Sequence, residues 1–125
     1  MQRRILTFLA LSGLAACAGL QTEPEPTRVV FFQGESATLD GPARAVVQAA
    51  AGPARSQPVT ILGYGGPTGG NFNRTLAVAR AQHVAELLRQ AGVPAERITV
   101  QTRAPVPADM APIETRRVEI RFAAP

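Results

Sequence analysis

The chain has no lysine, so its positive charge outside the amino terminus rests on 13 arginines, set against nine acids. Phosphate-tracking proteins pool lysine and arginine on one face. These arginines are scattered, which argues against a nucleic-acid partner. Cysteine is equally scarce. Cys17 stands alone, so no disulfide can form within the chain. His83 is the only histidine, and one imidazole without further cysteine makes no metal site. No cofactor or metal is implied. No nucleophile with a base and no pair of working acids is apparent, so the chain does not read as an enzyme. Long apolar runs are also missing. The longest, Ile5 to Leu14, is about half the ~20 residues a bilayer span needs.

Residues 1–16 have the layout of a secretory signal. Arg3 and Arg4 precede the apolar run, and small residues follow it. The stretch Leu14-Ala15-Ala16-Cys17 resembles the lipobox of bacterial lipoproteins. That resemblance implies a diacylglycerol on the Cys17 thiol, cleavage before it, and an acyl chain such as palmitate on the new amine. Ala18, rather than an aspartate, follows the cysteine, which in proteobacterial lipoproteins implies the outer membrane, with the domain facing the periplasm. The other reading is an ordinary secreted protein that keeps an idle thiol. Residues 17–27 then form an acylated cysteine and an extended tether, where two Glu-Pro steps disfavour helix. Residues 28–125 remain for one folded domain.

Within that domain the patterning alternates. Arg28 to Phe32 is β-branched and aromatic, a strand signal. Asp40 is a good N-cap, with Pro42 in the first turn. Ala43, Val46, Val47 and Ala50 make one helical face, which Gly52 and Pro53 should end. Val59 to Leu62 reads as a central strand. Glycine-rich residues 63–70 follow, and a second helix begins near Asn71. Ala77, Ala81, Val84, Leu88 and Ala91 form its seam, widened by Leu76 and Leu87, and Gly92 stops it. Ile98 to Thr102 is a third strand. Arg117 to Phe122 alternates charged and apolar residues, as a half-exposed strand would. The order β-α-β-α-β-β predicts an α+β fold, a mixed four-stranded sheet with two helices packed on one face.

Arg80 sits in the apolar margin of the second helix. A charge there needs a partner or a function. It could pair with Glu119 or Asp109, reach water, or hold a ligand's carboxylate bidentately. The loop after the second strand, Gly63 to Gly70, lacks the Gly-Lys-Ser/Thr ending of a P-loop, so it reads as a connector whose amides could assist Arg80.

Four segments in order resemble the OmpA-like peptidoglycan-binding domain, also found in peptidoglycan-associated lipoproteins. They are Phe32 to Leu39, Asn73-x-x-Leu76-x-x-x-Arg80-Ala81, Gly92-Val93-Pro94 with Arg97-Ile98, and Arg116-Arg117-Val118-Glu119-Ile120. The resemblance implies non-covalent capture of the diaminopimelate stem of peptidoglycan, with an arginine on its carboxylate and an aspartate on its ammonium. Arg80 matches that arginine, and Asn73, Gly65, Gly66 and Tyr64 would shape the pocket. Two departures mark the motif as degenerate. Gly66 stands where the family has its aspartate. The connection from Arg103 to Thr115 lacks the family's Gly-Arg, and Thr115 takes the place of an asparagine. Asp109 could replace the missing acid. The implied function is an outer-membrane lipoprotein that grips the wall. The alternative is an envelope interaction module that keeps the fold without wall binding.

Overall fold

The computed structural model describes residues 25–65, 71–103 and 113–124. Cys17, the segments before and just after it, Gly66 and Asp109 lie outside the described residues. The elements run β1 (Arg28–Phe31), α1 (Gly41–Ala54), β2 (Val59–Tyr64), α2 (Asn71–Gln90), β3 (Ile98–Arg103) and β4 (Arg117–Phe122). Short 3-10 turns at Ala95–Arg97 and Glu114–Arg116 lead into β3 and β4. The sheet order is β1-β4-β2-β3. β2 pairs parallel with β3 and antiparallel with β4, and β4 pairs antiparallel with β1. This is the α+β arrangement expected from the element order. No helix among the described residues is long and apolar enough to cross a membrane.

Both helices pack on one face of the sheet. Val30, Val59, Ile61, Val118 and Ile120 point toward them and share one core with Val47, Ala50, Ala51, Ala81, Val84 and Leu88. The helical seam is nearly all alanine and valine, so α2 can lie close to the strands. At Gly63 it lies closest. A Cβ there would stand 2.4 Å from the Ala77 carbonyl oxygen, so only glycine fits. The caps agree with the sequence signals. Asp40 Oδ1 accepts from the Ala43 amide at 2.8 Å. At the end of α2 the Val93 amide reaches the Leu88 carbonyl and the Gly92 amide reaches that of Arg89, both at 3.0 Å. With Gly92 at φ +96°, this is a Schellman motif.

Four boundaries differ from the sequence reading. β1 stops at Phe31, because Phe32 turns into the core and donates its amide to the Arg116 carbonyl. α1 runs through Gly52 and Pro53 to Ala54; a helix's last turn tolerates proline when the residues after it keep their own bonds, here Arg55 to Ala51 and Gly52. β2 continues to Tyr64, and β3 to Arg103.

The larger correction concerns β4. It is not a half-exposed strand but lies inside the sheet, with neighbours on both sides. Its charged positions face away from the helices and neutralise one another. Glu119, only 9% exposed, accepts from Arg117 Nε at 3.1 Å and Arg121 Nε at 2.8 Å. Alternation of charge reports two faces, and pairing on the second face lets an interior strand carry it.

Candidate functional site

Asn73, Ala77 and Arg80 are four and three residues apart, so they lie along one side of α2. Ala77 meets β2 at Gly63, which fixes how closely this side approaches the sheet. One turn further along, Arg80 meets the loop after β1. It is only 2% exposed. Its Nε donates to the Ser36 carbonyl at 2.9 Å and its Nη2 to the Gly34 carbonyl at 2.7 Å. The guanidinium carbon lies 5.3 Å from the Phe32 ring centroid. His83, the next residue on this side, has Nδ1 at 2.6 Å from the Ala37 carbonyl. Two side chains of α2 therefore engage three carbonyls of one short loop, those of Gly34, Ser36 and Ala37.

Electrostatics at Arg80 are unfavourable to the bare cation. Burial lowers its pKa from the ordinary arginine value, and repulsion from Arg116 adds to the shift. No acid forms an ion pair with it among the described residues. The internal pairing with Glu119 weighed from sequence is not made, because Arg117 and Arg121 hold that carboxylate on the other side of the sheet. The compensation Arg80 does receive comes from carbonyl dipoles. Among the described residues these use two of the five N–H donors of a guanidinium.

The other residues singled out by sequence divide. Gly65 is buried just past β2, with its amide on the Arg103 carbonyl at 2.9 Å, so that amide is spent. Asn73 shares the Arg80 side of α2. Gly66 falls outside the described residues. Tyr64 is not brought to Arg80. It alternates with Gly63 and so occupies the opposite face, where Arg117 stacks at 4.0 Å and Arg121 Nη2 approaches its hydroxyl at 3.4 Å. Sequence reasoning missed Arg116, whose charge the structure sets against Arg80. The paired arginines at 116 and 117 were the available signal, and strand alternation sends the two to different surroundings. It also missed Gly63 as the contact point of α2, and the Gly34 and Ser36 carbonyls.

A concavity of about 430 Å³ lies between α2 and β3 and is lined by His83, Glu86, Arg89, Ile98 and Val100 among others. No metal-holding cluster of His, Cys, Asp and Glu occurs among the described residues.

Comparison with known proteins sets this geometry in context. The model of the OmpA family matches residues 31–117. No curated protein matches the sequence. Among solved structures, the peptidoglycan-associated lipoprotein from Burkholderia pseudomallei is similar at 23% identity and a TM-score of 0.66, covering 77% of this chain and 90% of that one. The OmpA-like domain of FopA1 from Francisella tularensis gives 20% and 0.63, covering 79% and 75%. The C-terminal domain of Helicobacter pylori MotB gives 21% and 0.61, covering 78% and 84%. Identities this low show the fold alone. The family model spans both helices, β2, β3 and Arg80, and the chain belongs to the OmpA family.

Proposed function

We propose that this chain binds peptidoglycan non-covalently, through a stem-peptide carboxylate at Arg80, and that it is an outer-membrane lipoprotein held by acylated Cys17. One observation carries the binding reading. A guanidinium is buried at 2% exposure with no acid paired to it among the described residues, and a second cation, Arg116, acts on it. Such a place gains from negative charge brought to it. The arginine fork suits a carboxylate, and the carbonyls of Gly34 and Ser36 hold the fork in orientation. Gly66 leaves a diaminopimelate ammonium without its counter-charge. A lost charged hydrogen bond costs ~1.5–3 kcal/mol, so affinity falls about tenfold or more below a chain with an aspartate there.

A second reading is favoured by a different observation. Arg80 is bonded to its own chain, through the Gly34 and Ser36 carbonyls. In that case the OmpA fold is kept as a scaffold that docks another envelope protein. Pull-down with purified sacculi separates the readings. Recovery of the wild-type chain, reduced in Arg80→Met and in the exposed-site variant Arg116→Ala, supports the proposed site. Recovery that neither variant lowers removes the site while leaving wall binding. A folded wild-type chain that stays in the supernatant selects the scaffold.

A further inference from the structure

β3 is an end strand of the sheet, and its outer edge carries no ladder partner among the described residues. Natural edge strands are guarded by shortness, proline, lysine or a bulge. β1, the other end strand, is guarded in this way. It has four residues and Pro26 just before it. β3 has six residues, Ile98-Thr99-Val100-Gln101-Thr102-Arg103, four of them β-branched and none of them proline or lysine. Its single charge is at the last position. Val100 is 41% exposed, a large apolar side chain on an open edge. Beside it runs the 430 Å³ groove between α2 and β3, with Ile98 and Val100 on the strand side and Ala85, Glu86 and Arg89 on the helix side.

We propose that this edge pairs antiparallel with β3 of a second copy of the chain. Segments of the same chain make poor occupants. Residues 18–27 contain Pro24 and Pro26, and residues 104–112 contain Pro105, Pro107 and Pro112, so neither offers an unbroken row of amide donors. The β3 sequence complements itself. A two-fold axis through Val100, perpendicular to the sheet, sets Val100 against Val100 of the other copy. Ile98 then meets Thr102 of that copy, and Thr99 meets Gln101. Side chains directly opposite share a face, so Ile98 and Val100 of both copies form one apolar strip along the groove floor. Arg103 falls outside the paired residues, which leaves no like charges opposed within the ladder. The groove wall brings one acid and one base, Glu86 and Arg89, which pair with each other on α2. The wall therefore carries no net charge, and two copies related by the two-fold axis bring no like-charged walls together. The seam is short, so the pair assembles reversibly and in proportion to concentration.

The test uses the full chain in its own cell envelope. Val100→Cys places a thiol on the two-fold axis, and Ala49→Cys, on the exposed side of α1, is the control. A disulfide-linked band of twice the monomer mass should form under mild oxidation in Val100→Cys and be absent from Ala49→Cys and from wild type, which retains Cys17. Sedimentation of the detergent-extracted wild-type chain should show a dimer that grows with concentration, and Val100→Lys should abolish it. Equal bands in the two cysteine variants, or a wild-type chain that sediments as a monomer throughout, overturns the proposal. Linkage of Val100→Cys into bands of another mass assigns the edge to a different protein and overturns it as well.

Discussion

At the scale of single residues, Arg80 separates a structural role from a binding role. Its folded pKa is lowered, so folding disfavours the charged form. Because the charge persists in both states below that value, the cost is present at neutral pH. It is relieved only as alkaline pH rises through the lowered pKa. Arg80→Met keeps the length and removes the charge. It also frees the Gly34 and Ser36 carbonyls, which belong to an exposed and a half-exposed residue and so can recruit water. The two effects oppose, and urea unfolding of Arg80→Met should stay within about 1 kcal/mol of wild type. A loss beyond about 3 kcal/mol would mark Arg80 as a pin of the fold with no stability given up to function. Gly63 is the opposite case. A methyl there collides with helix backbone, which cannot swing aside, so Gly63→Ala should cost about 2 kcal/mol or more in the same measurement. The sequence announced Arg80 through its type and its place on the helix margin. It could not announce carbonyl partners 44 and 46 positions away, because every loop residue carries the same acceptor.

Elements were legible where a local signal coincides with a local cause. Asp40 and Pro42 start α1 by satisfying or omitting amides that have no helical partner, and Gly92 ends α2 by supplying a positive φ. Pro53 misled because its effect depends on the residues after it, and the bonds of Arg55 let the last turn close. β4 misled for a related reason. Its period of two was correct, but the partner on its charged face comes from ion pairs within the strand and an aromatic ring on β2. The C-terminal ends of the helices are tied by arginine. Arg55 Nη2 donates to the Ala91 carbonyl at 2.7 Å, where the partial negative charge of α2 collects. Gly92→Ala disturbs that corner through the backbone. It forces φ +96° on a residue with a Cβ, while the methyl meets Arg55 Nε only at an ordinary contact distance. Thermal unfolding should show a loss of about 1–2 kcal/mol, with the sheet spectrum unchanged. A variant as stable as wild type would mean the Schellman closure holds little of the helix end.

Over the whole molecule, the missing lysine acquires a structural meaning. Arg55, Arg80, Arg97 and Arg117 all donate to backbone carbonyls across turns or between elements. A planar fork does this with less ordering cost than a flexible ammonium. Part of the positive charge is thus spent as cross-links. The same absence gives a direct test of the proposed anchor. Without lysine, the α-amine is the only primary amine the chain can carry. Cleavage before Cys17 creates that amine, and full acylation removes it. Membrane-extracted protein should therefore take up no amine-reactive label under denaturing conditions, and should partition into detergent through its acyl chains. Cys17→Ser should leave the membrane fraction and accept one label per chain. A wild-type chain that is water-soluble and carries one label fits the ordinary secreted form with an idle thiol, and would reject the lipid anchor while leaving the OmpA domain intact. A chain that partitions into detergent yet accepts one label would place lipid on the thiol alone, which stops the modification one step before the amine.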